Sequence, residues 1–145
     1  MLRSLRTFLV CFVLLIFSGC KSSIETHAIG DSTVTTFKSV WYRHDDFRTG
    51  YWAWQDKGAL VLNDDSIEFI GEKYQITIKD IIDISYGKLT KTLSTDPSKW
   101  VKITYEDTGG NRNMALFAES GSLGWSGVRG GTQIIYDTIK QKYVK

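Results

Sequence analysis

The sequence predicts a mainly β fold, an antiparallel sandwich or barrel of about six to eight strands covered by one C-terminal amphipathic α-helix. Short stretches rich in β-branched and aromatic residues recur between residues 34 and 118, and several alternate apolar with polar positions. Turn-forming Asn, Asp and Gly separate these stretches. Residues 131–143 instead repeat apolar positions at the spacing of a helix.

The strand predictions follow from alternation between successive turn signals. The stretch Asn63-Asp64-Asp65 separates two of the clearest strands, and Asp107 to Asn111 has the composition of a hairpin turn. The charged stretch 44–50 lies between two aromatic stretches and predicts a further hairpin, returning at 51–54. The other predicted strands cover residues 34–43, 59–62, 66–70, 74–79, 81–86, 100–105 and 113–118.

The C-terminal helix is predicted at 131–143, directly after a glycine-rich segment that covers 121–131. Its apolar residues fall at i, i+3, i+4, i+7 and i+11, which places them on one face. We expect this face to pack on the sheet. The residues of the face are Thr132, Ile135, Tyr136, Ile139 and Tyr143.

The first 19 residues read as a secretory signal peptide. Arg3 and Arg6 precede an unbroken apolar run over 8–17, and the small residues Ser18 and Gly19 follow it. The run contains ten residues. A transmembrane helix needs about 20, so a membrane-spanning anchor fits less well than a cleaved signal.

The stretch Phe17-Ser18-Gly19-Cys20 resembles the lipobox of bacterial lipoproteins. The resemblance implies that the Cys20 thiol is diacylglycerylated, that residues 1–19 are removed, and that the new N-terminus usually receives a further acyl chain. An ordinary cleaved signal would leave Cys20 as a lone thiol, because Cys11 departs with the signal. Lipidation accounts for the unpaired cysteine, and stable anchoring takes more than one chain.

The residue after the cysteine bears on localisation. In the Gram-negative sorting pattern an Asp there favours retention in the inner membrane, whereas this chain has Lys21. We therefore expect an outer-membrane lipoprotein. Residues 20–33 are polar and are predicted to form a flexible tether with a reach of roughly 20 Å, followed by a single domain over 34–145.

The charge of the chain argues against nucleic acid as a partner. The formal net charge of +2 arises from Arg3 and Arg6, since the chain has 18 basic and 16 acidic residues. Without the signal peptide the numbers of basic and acidic residues are equal. A nucleic-acid-binding domain would carry clustered Lys and Arg on one face.

The strand pattern over 58–143 resembles the pleckstrin-homology-like superfold, including GRAM and bacterial PH domains. The resemblance is carried by 58–62 before an Asx-rich turn, by 66–69, and by 76–81 at the corner before the next strand. It implies a PH-like barrel used as a protein-interaction scaffold. An eight-stranded lipocalin-like barrel is the alternative, but the chain has too few clear strands for it. Phosphoinositide-binding members use basic residues at a hairpin where this chain has acidic 63–65, so no phosphoinositide ligand is expected.

The sequence predicts no catalytic site, no metal site and no cofactor beyond the lipid on Cys20. The histidines are His27, in the predicted tether, and His44. His44-Asp45-Asp46 could contribute to a metal site, but adjacent residues rarely converge on one ion, and a solvated turn is the preferred interpretation. The glycine-rich segment could form an anion-binding helix start. It matches neither a P-loop nor a dinucleotide fingerprint, and a loop is the preferred interpretation.

A group of aromatic residues is the candidate binding face. Adjacent residues of a strand point to opposite sides, so one face cannot bury all of them. Either they pack in the core or they expose a surface suited to a protein, a glycan or a lipid. We expect a non-catalytic lipoprotein that binds another envelope protein; the alternative is a glycan- or lipid-binding module. The candidate residues are Trp41, Tyr42, Phe47, Tyr51, Trp52, Trp54 and Trp125.

Overall fold

The computed structural model describes residues 24–29, 32–44, 54–89, 99–120 and 130–144. Within these ranges the chain forms eight strands and one helix. The elements are β1 (Ile24–Ile29), β2 (Ser32–Arg43), β3 (Asp56–Leu62), β4 (Ile67–Gly71), β5 (Gln75–Ile78), β6 (Asp80–Gly87), β7 (Trp100–Glu106), β8 (Arg112–Glu119) and α1 (Gly131–Tyr143).

The eight strands form one antiparallel sheet in the order β5-β4-β3-β2-β8-β7-β6, with β1 pairing β2 beside this path. Two meanders, β2 to β5 and β6 to β8, are therefore joined where β2 pairs with β8. Within the described residues the sheet is open, since its path ends at β5 and at β6. The prediction of a mainly β, antiparallel fold with one C-terminal helix is confirmed.

Strand β2 connects the two meanders because it has neighbours along both edges. One edge pairs with β3, and the other pairs with β1 in its first half and with β8 in its second. The register with β3 shifts between Phe37 and Val40. A bulge changes which alternate positions face the core, and both Phe37 and Val40 accordingly lie in the main core although they are three residues apart.

The prediction of a flexible tether over 20–33 is corrected for its described part. Residues 24–29 form β1 and pair in register with β2, which itself begins at Ser32. Periodicity does not indicate this strand, because the side chains of residues 24–28 are at most half-buried and show no apolar alternation. Among the described contacts, backbone pairing with β2 and the Glu25–Lys38 ion pair hold β1.

The main core lies between the sheet and α1. Ile135 and Ile139 are buried there, Thr132 is fully buried at the start of the helix, and Tyr136 and Tyr143 pack against the cluster. The predicted helical face is confirmed. The core residues contributed by the sheet are Phe37, Val40, Tyr42, Leu60, Leu62, Ile67, Phe69, Ile78, Val101, Ile103, Ala115 and Phe117.

The C-terminal end of α1 is fastened to the β3–β4 turn. The Tyr143 hydroxyl donates to the carbonyl of Asn63 and to that of Ser66, the latter at 2.7 Å. Burial, together with the nearby carboxylates of the turn, raises the pKa of Tyr143, so this hydroxyl stays a donor. Lys142 Nζ pairs with Asp64 Oδ1 at 3.2 Å and donates to the backbone carbonyl of Thr33.

Candidate functional site

Part of the predicted aromatic group packs in a second core. This core lies on the face of the sheet opposite the main core. The Trp41 ring stacks on Trp54, with centroids 4.1 Å apart and planes 14° from parallel, and lies 6.5 Å from the ring of Trp100. We call this set the tryptophan cluster. Its members are Trp41, Trp54, Leu89, Trp100, Met114, Leu116 and Ala118.

Three neighbouring strands place these side chains together. Trp41 of β2 lies opposite Ala118 of β8, and β7, which begins at Trp100, is the next strand of the sheet. Because Ala118 is small, the two large rings from the flanking strands can approach across it. Leu89, just after β6, is also buried in the cluster. The arrangement is a packed apolar layer built on the sheet.

Tyr42 enters the main core instead. Its ring centroid lies 4.9 Å from that of Phe69, 5.8 Å from Phe117 and 5.4 Å from Tyr74. Trp41 and Tyr42 do point oppositely, as strand geometry requires, yet each is only 3% exposed. Of the two alternatives left open by the sequence, core packing and not an exposed binding face applies to these two residues. Both sides of the sheet are covered at this position.

The remaining predicted residues fall into two groups. Trp54 is half-buried, with its ring stacked over Trp41. It precedes β3 and is not part of a strand, so the hairpin that begins at Arg43 returns at Asp56. The others lie outside the described residues, namely Cys20, Phe47, Tyr51, Trp52 and Trp125.

Two polar groups in the tryptophan cluster's layer were missed by sequence reasoning. Arg43 is 2% exposed and, two positions after Trp41, lies on the same face of β2. Trp100 Nε1 is buried and has no hydrogen-bond partner within the described part of the chain. An unmade buried hydrogen bond costs about 1–3 kcal/mol. The position of Arg43, a single charged residue at the end of an aromatic strand, was the sequence feature that could have indicated its burial.

Asp56 is a third buried polar group, at 4% exposure. Its Oδ2 accepts from the backbone N–H groups of Lys73 and Tyr74 at 2.9 and 2.8 Å, and Oδ1 accepts from that of Lys57 at 2.8 Å. Burial acts to raise the pKa of this carboxyl, but the backbone donors outweigh it and hold the pKa below its ordinary value. Asp56 thus fixes the β4–β5 turn to the start of β3.

The described residues among the candidates for metal binding do not come together. No group of three or more His, Cys, Asp or Glu side chains that could hold a metal lies within the described ranges. His27 is exposed beside Glu25, with 3.8 Å between Nε2 and the carboxylate, and His44 is exposed near the ring of Tyr74. Asp45 and Asp46 fall outside those ranges.

The start of α1 is occupied by a carboxylate of the chain itself. A side chain at Gly131 would meet the Glu119 carboxylate within 2.1 Å, so the helix begins against this group. The backbone N–H of Glu119 donates to Thr132 Oγ1 at 3.0 Å. A negative charge is favourable near the positive end of a helix dipole. The described part of the anion site considered for this segment, where a plain loop is the preferred interpretation from sequence, therefore lies against the Glu119 carboxylate.

No protein-family model, no curated protein and no solved structure matches this chain. Among the described residues, no helix has the length and hydropathy to cross a membrane.

Proposed function

We propose that this chain is a non-catalytic lipoprotein of the bacterial cell envelope, anchored through Cys20 in the outer membrane. The observation that carries the proposal is the order of signals at the N-terminus. A basic stretch, an apolar run and the lipobox-like Phe17-Ser18-Gly19-Cys20 follow one another without interruption. The mature protein would start at a lipid-bearing Cys20.

Substitution of Cys20 tests the anchor. Cys20→Ala should abolish incorporation of labelled palmitate and prevent release of residues 1–19, so the protein should migrate as a larger species. Cys11→Ala is the matched control, since Cys11 lies within the signal and should leave labelling and processing unchanged. Wild-type migration and fractionation of Cys20→Ala would overturn the lipoprotein assignment.

The β domain is proposed to act as a protein-interaction scaffold. Its meandering strands followed by α1 are consistent with the PH-like resemblance, a fold that displays binding surfaces on its edges and loops. Function does not follow from a fold alone, so the proposal needs a surface. The ends of an open sheet are natural candidates, because an extended segment can add to them through backbone hydrogen bonds.

The edge formed by β6 is the most suitable of these. Strand β6 has eight residues and pairs only with β7 among the described elements. Its register shifts between Ile81 and Asp83, and the intervening Ile82 is 45% exposed. Asp80 and Asp83 are exposed beside it. An apolar side chain flanked by carboxylates on a strand edge fits an extended partner segment with apolar and basic residues.

Crosslinking in intact envelopes followed by pull-down tests this surface. Ile82→Lys should reduce recovery of the specific partner captured by the wild type. Ile134→Lys on α1 is the matched control, because Ile134 is also 45% exposed but belongs to the helix and not to an edge strand. Recovery of no specific partner by the wild type, or equal loss in both variants, would contradict the proposal.

The alternative, glycan or lipid binding by an aromatic face, is supported less by the geometry. Trp41 and Tyr42 are buried, and Trp54 is half-buried against Trp41. A titration of tryptophan fluorescence with envelope glycans and lipids separates the two functions. A saturable shift would favour the alternative, whereas a scaffold for proteins predicts none.

A further inference from the structure

Strand β1 differs from the other strands that have a neighbour on one side only. Among the described elements these are β1, β5 and β6. Strand β5 buries Ile78 completely, and β6 packs Ile81 and Ile84 against the main core. None of the described side chains of β1 belongs to either core. The described side chains of β1, those of residues 24–28, therefore add nothing to the interior of the sheet, while its backbone adds pairing.

The side chains of β1 provide little that would hold it in place. Ile24 is 37% exposed, and residues 26–28 are exposed as well. Glu25 pairs with Lys38, but their side chains are 45% and 50% exposed. Exposed ion pairs contribute little to stability. Burial of apolar surface is the dominant favourable term in folding, so β1 is the strand whose local opening costs least.

The rest of the sheet does not depend on β1. From Thr35 onward, β2 also pairs with β3 on its other edge, where Thr35, Thr36 and Phe37 face Leu62, Val61 and Leu60; residues 32–34 pair with β1 alone. The carbonyl of Thr33 accepts a hydrogen bond from Lys142 of α1. Departure of β1 would thus leave β2 paired with β3 from Thr35 onward and uncover the other edge of residues 35–37.

Opening of β1 would lengthen the stretch of chain between Cys20 and the first residue held by the sheet. Cys20 precedes Ile24 by four residues, which span roughly 14 Å at full extension. Cys20 precedes Thr35, the first β2 residue that pairs with β3, by fifteen residues, which span roughly 50 Å. The first point of the domain held by the sheet moves from Ile24 to Thr35 when β1 is released, so the maximum distance from the lipid anchor grows by roughly 35 Å.

We propose that β1 is a releasable strand that sets how far the domain stands from the membrane. Paired with β2, it keeps the domain close to the lipid head groups; released, it becomes part of a longer tether. The inference about membrane distance rests on the proposed lipidation of Cys20. The opening of β1 itself does not.

Hydrogen exchange on the purified lipoprotein in detergent tests the opening. Amides bonded between β1 and β2 should exchange at least about tenfold faster than those between β7 and β8. A disulfide between His27→Cys and Val34→Cys, which face each other across the pair, should remove this difference when oxidised and restore it when reduced. Equal protection of β1 and β8 in the wild type would overturn the proposal.

Energy transfer from the tryptophans to dansyl-labelled lipid head groups tests the distance in vesicles. Transfer should be highest in the oxidised cysteine pair and should fall when the same protein is reduced. Successive N–H groups of a strand point to opposite edges. Only one of Thr26 and His27 therefore donates its N–H to β2. Replacement of that residue by Pro breaks a hydrogen bond to β2 and should lower the energy transfer further, and replacement of the other by Pro is the control.

The outcomes separate the two proposals. Equal transfer in the oxidised and reduced protein, with rapid exchange of β1 in detergent, would overturn the role of β1 in setting distance while leaving the anchor intact. Failure of the wild type to bind vesicles would overturn the anchor. Circular dichroism of the two proline variants verifies that the remainder of the domain is folded.

Discussion

Trp41 and Tyr42 are adjacent in β2 and each is 3% exposed, because their rings enter different cores on opposite faces of the sheet. A strand covered on both sides has no free aromatic surface at that point. The aromatic richness of this region is explained by packing in two layers, and the first prediction follows from it.

Removal of the Trp41 ring should destabilise the domain. Trp41→Ala leaves a cavity between Trp54 and Trp100, and loss of a buried aromatic side chain costs about 3–5 kcal/mol. Urea denaturation at pH 7 measures the free energy of unfolding. Trp54→Ala is the comparison and should cost less, because Trp54 is half-buried. Unchanged stability of Trp41→Ala would show that the ring serves a surface role instead.

Loss of one hydroxyl should loosen the end of α1. Tyr143→Phe removes the donor to the carbonyls of Asn63 and Ser66 and should lower the free energy of unfolding by about 1–2 kcal/mol. Tyr136→Phe is the control, since the Tyr136 hydroxyl forms no hydrogen bond with the described residues, and it should have little effect.

Tyr143→Phe should also change how the free energy of unfolding depends on alkaline pH. The folded-state pKa of Tyr143 lies above its ordinary value of 10.0, so the unfolded chain loses this proton first as pH rises. The stabilisation is therefore complete below pH 10 and declines above it. Tyr143→Phe should remove this contribution. Parallel alkaline stability curves of wild type and variant would contradict the assignment.

Asp56 should make stability depend on acid pH. Its folded-state pKa lies below the ordinary value of 3.8, so its contribution is present above that value and is lost as pH falls through the folded-state pKa. Asp56→Asn should cost about 1–3 kcal/mol at pH 7, through weakened bonds to the backbone donors of Lys73 and Tyr74. Denaturation at stepwise lower pH should show the difference from wild type narrowing below pH 3.8. A constant difference would contradict this.

Close approach of two strands at Gly58 should make it intolerant of a side chain. A Cβ there would lie 2.1 Å from the carbonyl oxygen of Ile70 on β4, a backbone atom that cannot rotate away. We expect Gly58→Ala to destabilise by roughly 1–3 kcal/mol. Gly87→Ala is the matched control, because no atom lies within 4 Å of a Cβ at Gly87. Equal melting temperatures of the two variants would refute the argument.

The elements of this fold that depend on local pattern were predictable. The alternation at Ile67 and Phe69 and at Val101 and Ile103 led to strands whose inward side chains are buried. The helical spacing over 131–143 coincides with α1. In each case the apolar residues of a single strand or helix repeat along the face that it buries. The periodicity of that one segment is therefore enough to predict which face is covered.

The sequence by itself determined the mainly β pattern, the terminal helix and the prediction of a lipid at Cys20. Only the tertiary structure decided that Trp41 is covered as well as Tyr42, that Asp56 anchors a turn 17 residues away, and that residues 24–29 form a strand. These features depend on contacts between segments distant in the chain. Local periodicity carries no information about a second covered face or about a strand that joins the sheet through backbone pairing without entering a core, which is why both required the assembled sheet.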